Sequence, residues 1–132
     1  MCFACGKENV DGLHLEFDYT DEQVRTTLAF PKKFQGYSDI VHGGLISTVL
    51  DEAMVTLLNK MGSFAVTAEL SVRFLSPLSV GQTATVTARL VEARGKVFRV
   101  AATVTLADGT TIATGEARCI SMGPLPDDLA GS

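Results

Sequence analysis

The chain has 132 residues, 46% of them hydrophobic, with 11 basic side chains against 15 acidic ones and a net charge of -4. That length fits one domain that buries a core without staples, and the hydrophobic fraction excludes a disordered chain. The acidic balance argues against nucleic-acid binding, and no stretch approaches the ~20 consecutive apolar residues of a membrane helix.

The opening Met1-Cys2-Phe3-Ala4-Cys5-Gly6-Lys7 lacks a basic leader followed by an apolar run, so no secretory signal is expected. Three cysteines, an odd count, argue against a disulfide framework, and a reducing cytoplasm is the expected setting. Cys2 and Cys5 form a C-x-x-C pair. A structural zinc site needs four ligands, and Cys119 with His14, or the pair of a second subunit, would have to complete it. The pair otherwise reads as a reduced tether, and no metal or organic cofactor is expected.

His14 to Tyr19 alternates apolar and polar residues like a strand, and Val24 to Phe30 reads as its hairpin partner. Pro31-Lys32-Lys33 ends that pattern, and a long loop is expected from Phe34 to Asp39. Leu45, Ile46, Val49, Leu50, Ala53, Met54, Leu57 and Leu58 then mark one wide apolar helical face. Gly43-Gly44 opens this helix, and Gly62 stands where a left-handed stop is expected.

Everything after the helix alternates at period two. Ala68 to Phe74 is one strand, ended by Ser76-Pro77. Ala84, Val86, Ala88 and Leu90 form one inward row, and Phe98, Val100, Ala102, Val104 and Leu106 form the next. Arg94-Gly95 and Asp108-Gly109 read as turns, the second as a two-residue hairpin, and Ile112 to Ser121 closes the set. Short connections require antiparallel pairing. The expected fold is α+β, one long helix packed on the concave side of a curved antiparallel sheet of about six strands. A single domain is expected over residues 1–122, with a frayed tail over 123–132.

The stretch that carries chemistry is Val41-His42-Gly43-Gly44, followed by Asp51-Glu52. Two glycines opening a helix leave backbone amides able to hold an anion or a developing oxyanion, and their missing Cβ atoms let a carbonyl approach. Asp51 is eight residues after Gly43, which at 100° each puts both on nearly one side, about 12 Å apart along the axis. Within one subunit that is too far for both to meet one carbon, whereas a symmetric dimer can join the amide of one helix to the carboxylate of the other. Ser47, Thr48, Asp51, Val55 and Thr56 make a small, mixed-polarity stripe suited to a subunit or ligand contact. The alternatives are an ordinary wet helix face at Asp51-Glu52 and a plain turn at Gly43-Gly44.

Gln35-Gly36, His42-Gly43-Gly44, Asp51-Glu52 and Thr67-Ala68-Glu69-Leu70-Ser71-Val72-Arg73-Phe74 resemble the hotdog-fold acyl-CoA thioesterases, most closely the phenylacetic-acid-degradation (PaaI-like) branch. The likeness runs from the Cys-Phe-x-Cys-Gly start to the last strand. It implies hydrolysis of an acyl- or aryl-coenzyme A, with the acid at Asp51 as general base or nucleophile. It also implies that the Gly43 amide polarises the carbonyl, that His42 orients substrate or loop, and that the Thr67 hydroxyl helps hold the attacking water. The family's helper amide falls at Gly36 here, a departure for which Gln35 is the nearby substitute. Gly36 and Gln35, with Gly44 and Glu52, are expected to line the substrate site, and Arg94 and Lys96, in a turn, to meet the coenzyme A phosphates. The expected assembly is a homodimer with composite sites, doubled into a homotetramer. The rival readings are a non-catalytic acyl-CoA sensor on the same fold, and a hydratase using Asp39 with His42.

Overall fold

Hydrophobic period changes from 3.6 to 2 at Gly62, and the architecture follows from that switch. The computed structural model describes residues 17–29, the backbone of 35–37, and residues 40–124. Cys2, Cys5, His14, Phe34 and Asp39 lie outside the described residues. The elements in chain order are β1 (Asp18–Thr20), β2 (Gln23–Leu28), β3 (Gln35–Tyr37), β4 (Ile40–Val41), α1 (Gly43–Lys60), β5 (Ser63–Phe74), β6 (Ala84–Arg94), β7 (Val97–Leu106) and β8 (Thr111–Pro124).

Six strands form one antiparallel sheet in the order β1-β2-β6-β7-β8-β5, while β3 and β4 make a separate two-stranded ribbon. The chain therefore leaves α1 into β5, which pairs with the last strand and not with β6. Among the described residues the outer edge of β5 has no strand partner.

The helix ends as its sequence requires. Gly62 adopts φ +93 and its amide donates to the Asn59 carbonyl at 3.0 Å. Ile46, Val49, Leu50, Ala53, Met54, Leu57 and Leu58 are all buried. They pack on a concave sheet face built from Val24, Val86, Val100, Val104 and a set of alanines. The small residues let the helix lie close: a Cβ added at Gly115 would sit 3.5 Å from Leu50 Cδ1. This is the hotdog arrangement, one helix laid against a curved antiparallel sheet.

Residues directly opposite in an antiparallel pair share a face. Thr67 pairs with Cys119, but the next pair is Glu69 with Arg118, so Ala68 is the extra residue of a bulge. Before it, Ala65 and Thr67 face the helix; after it, Leu70, Val72 and Phe74 do, opposite Ala117, Gly115 and Ala113. Phe64 and Val66 point the other way and stay exposed.

Three sequence expectations change in detail. The loop expected over 34–39 contains β3, whose Gln35 pairs with Val41 immediately before the helix. The strand after the helix begins at Ser63, five residues earlier than Ala68, and β8 continues to Pro124, which pairs with Ser63. The turn around Asp108-Gly109 spans more than two residues. Thr105 pairs with Thr111 and the Leu106 amide donates to the Thr110 carbonyl, because a register shift at Val104/Thr105 absorbs Ile112. A two-residue turn does occur at Asp21-Glu22 between Thr20 and Gln23, with φ of 52 and 59 and no glycine.

Candidate active site

At the front of α1, His42 is the N-cap, with extended backbone (φ -60, ψ 132). Its ring Nδ1 accepts the Gly44 amide at 2.9 Å, and its carbonyl accepts the Leu45 amide at 3.0 Å. An acceptor Nδ1 fixes the neutral tautomer with hydrogen on Nε2. A Cβ on Gly44 would stand 3.0 Å from Nδ1, a tight contact to which the exposed His42 ring would have to give way by a few tenths of an ångström. Gly43 is left with an amide that makes no hydrogen bond among the described residues. A Cβ on Gly43 would meet the Phe74 ring at 3.4 Å, so that ring, 51% exposed, stands directly over the helix tip. Beside it opens a groove of about 320 Å³, lined by Gly43 and by Val41, Ile46, Phe74, Leu75 and Leu78 among others, with no charged side chain among the described residues that line it. The Val41 amide donates to the Leu78 carbonyl at 2.8 Å and ties the segment before the helix to the chain beyond β5.

Two turns further along α1 lies Asp51, half-buried. The Thr67 hydroxyl donates to its Oδ1 at 2.8 Å. That hydroxyl also stands 3.9 Å from Cys119 Sγ. Burial pushes the Cys119 thiol up, the Thr67 hydroxyl partly offsets this, and the Asp51 carboxylate adds to it. A protonated thiol, a threonine hydroxyl and a carboxylate thus form one chain across β8, β5 and α1. No hydrogen bond to Asp51 Oδ2 occurs among the described residues. A carboxylate with one oxygen tied and the other open can accept a proton or attack an electrophile.

The residues expected from sequence therefore fall into separate groups. Asp51 meets Thr67, and His42, Gly43 and Gly44 share the helix tip, but the two groups lie apart along α1. Glu52 is half-buried beside Asp51. Gln35 and Gly36 lie in β3, which leads through β4 to the N-cap. Arg94 and Lys96 flank the β6–β7 turn; Arg94 is 3.4 Å from Glu92, and the Lys96 carbonyl accepts the Ser121 amide at 2.8 Å. Val97, next to that turn, is joined through Ile120 to Val66, two strand spacings or roughly 10 Å across the sheet. The sequence reading gave Cys119 only as a possible zinc ligand and Phe74 only as a strand residue, and placed neither in the site. Cys119 was within reach, since Ala113, Gly115, Ala117 and Cys119 recur at every second position of β8. Phe74 meets Gly43 only through the tertiary fold, and no local pattern announces that contact. Among the described residues no group of three or more His, Cys, Asp or Glu side chains is arranged to hold a metal ion.

A sequence profile of the thioesterase superfamily matches residues 39–113, a span that includes the helix tip, Asp51 and Thr67. The chain belongs to the thioesterase superfamily. It is a thioester hydrolase on the hotdog fold. A search of the curated proteins found no match. Solved structures place this thioesterase beside several others. PaaI of E. coli, from the phenylacetic acid degradation operon, is 20% identical with a TM-score of 0.78, over 83% of this chain and 80% of that one. A Streptococcus mutans UA159 protein bound to acetyl-CoA is 23% identical with a TM-score of 0.80, over 85% and 91%. A hypothetical thioesterase of Streptococcus pneumoniae TIGR4 with coenzyme A is 18% identical with a TM-score of 0.80, over 85% and 91%. That pneumococcal thioesterase has also been solved with alanine replacing an aspartate and, separately, a threonine sixteen positions later. Among the described residues of this chain, no helix is long and apolar enough to cross a membrane.

Proposed function

We propose that the thioester cleaved is that of an acyl- or aryl-coenzyme A, with Asp51 as general base and the Gly43 amide as the group that polarises the carbonyl. The observation that carries this reading is the 2.8 Å hydrogen bond from Thr67 to Asp51 Oδ1, which orients the carboxylate. Water gives its proton to Oδ2 and attacks the thioester carbonyl. The oxyanion that forms takes the Gly43 N–H, and collapse breaks the carbon–sulfur bond. Coenzyme A leaves as thiolate and regains a proton from Asp51, so the carboxylate returns to its starting state. His42 holds the tip in register through Gly44. Acetyl-CoA on the Streptococcus mutans protein and coenzyme A on the pneumococcal one support the choice of substrate. The aspartate and threonine replaced in the pneumococcal protein have the same sixteen-residue separation as Asp51 and Thr67.

Eight residues of helix separate Gly43 from Asp51 by about 12 Å, so the reacting carbon sits between the Gly43 of one protomer and the Asp51 of its partner. The uncovered edge of β5, with Leu70 and Phe74 exposed on its inner face, is the surface on which this homodimer forms. Doubling of dimers gives a homotetramer. Gln35, Gly36, Gly44 and Glu52 line the substrate site, and Arg94 and Lys96 meet the coenzyme A phosphates. The chain acts as one domain in the cytoplasm, and that domain extends through β8 to Pro124. The test is Asp51→Asn in a thiol-release assay on a panel of acyl-CoAs. Turnover should fall by about 100-fold or more with the melting temperature held. Near-normal turnover would remove Asp51 from the mechanism.

A further inference from the structure

We infer that Cys119 is a positioning residue for the hydrolysis: its buried side chain holds Thr67 in the rotamer that aims the hydroxyl at Asp51 Oδ1. This rests on the reading of Asp51 as the general base. A threonine carries a methyl and a hydroxyl on one carbon, and a single rotamer step exchanges them. The 2.8 Å bond to Asp51 exists in one of those states only. Along β5, the neighbours of Thr67 on the helix-facing side give it little support. Ala65 is short, and Leu70 is set one residue further off by the bulge at Ala68. The support comes from across the sheet.

Cys119 is the residue directly opposite Thr67 in the β5–β8 pair, and its Sγ stands 3.9 Å from Thr67 Oγ1. On its other side it pairs with Phe98 of β7, which packs against the same core. Fully buried within one protomer, the sulfur has no open space to withdraw into. A methyl turned into the place of the hydroxyl would forgo both the carboxylate and the weakly polar contact to sulfur. A thiol suits this position. Sulfur is a weak acceptor, so it leaves the Thr67 proton with Asp51. Burial keeps the thiol protonated, so it adds no second negative charge beside the carboxylate.

The test measures kcat and KM by thiol release, on the acyl-CoA of the panel that is cleaved fastest, in Cys119→Ala, Thr67→Val and the double variant. Cys119→Ala should lower kcat about threefold, a part of the roughly tenfold expected from losing the Thr67 hydroxyl, with KM within about twofold. In the Thr67→Val background the same change should alter kcat less than about 1.5-fold. Val24 is as deeply buried, on β2, with three strands between it and β5. Val24→Ala therefore opens a core cavity elsewhere, and should melt lower than wild type with kcat unchanged. Wild-type kcat in Cys119→Ala, a loss undiminished in the valine background, or an equal loss in Val24→Ala overturns the inference. A crystal structure of Cys119→Ala reads the same claim without turnover. Thr67 should show a second rotamer that lacks the bond to Asp51, and a single rotamer with the 2.8 Å contact intact overturns the inference. Wild-type turnover by Asp51→Asn would instead remove the base assignment, and the crystal structure then decides the role of Cys119 alone.

Discussion

Replacing Thr67 by valine removes one hydroxyl at nearly constant volume, so it isolates the hydrogen bond to Asp51. That bond is 2.8 Å long and joins a hydroxyl to a carboxylate in a part-buried setting. Hydrogen bonds to charged groups contribute about 1.5–3 kcal/mol, and partial exposure puts this one at the lower end. About 1.4 kcal/mol is tenfold in rate if the transition state feels the whole bond. The expected result is a kcat about tenfold lower with KM little changed, while Thr67→Ser, which keeps the donor, stays within about threefold. Repeating Thr67→Val in an Asp51→Asn background, by single-turnover thiol release, completes a double-mutant cycle. There the valine should matter less than about twofold, since no carboxylate remains to orient. Thermal melts show that each variant is folded. A valine variant with wild-type kcat, or a tenfold loss that persists in the asparagine background, would refute the idea that Thr67 acts through Asp51.

His42 caps α1 through Nδ1, so His42→Ala should lower stability by about 1 kcal/mol, whereas His42→Asn keeps a capping oxygen and should melt near wild type; differential scanning calorimetry separates them. Glu22 sits at φ 59 in a two-residue hairpin turn, and Glu22→Gly should raise the melting temperature by about 2–4 °C through relief of about 1 kcal/mol of strain. The Thr110 amide donates to Asp108 Oδ1 at 2.8 Å and holds that carboxyl below the usual aspartate range. A lowered folded-state value means the stabilisation is present above the ordinary aspartate value and is lost as pH falls through the folded one. Asp108→Asn should flatten that acid part of the stability–pH curve, as measured by urea melts.

Much of the fold was written locally. The helix face from Ile46 to Leu58 and the alternating rows of β6 and β7 are period signals, and each buries the side the pattern names. Gly62 marks its stop by a backbone angle few other residues adopt. Less was legible where pairing is long-range. The bulge at Ala68 depends on how β5 registers with β8, forty-five or more residues later, and nothing within β5 announces it. The ribbon of β3 and β4 is too short for a period to show. At the candidate site, the His-Gly-Gly tip and the acid after it stood out as residue types. The Thr67–Asp51 bond and the Phe74 wall needed the sheet to bring distant residues to the helix.

The one-residue irregularity in β5 has an effect out of proportion to its size. An unbroken two-step rhythm would let either Thr67 or the Leu70–Phe74 series look inward, but never both. Ala68 shifts the count midway, so one strand delivers a hydrogen-bonding end and an oily end to the same helix. Deleting that alanine would restore strict rhythm and separate them. A single change of step thus lets one strand meet the helix with two unlike surfaces.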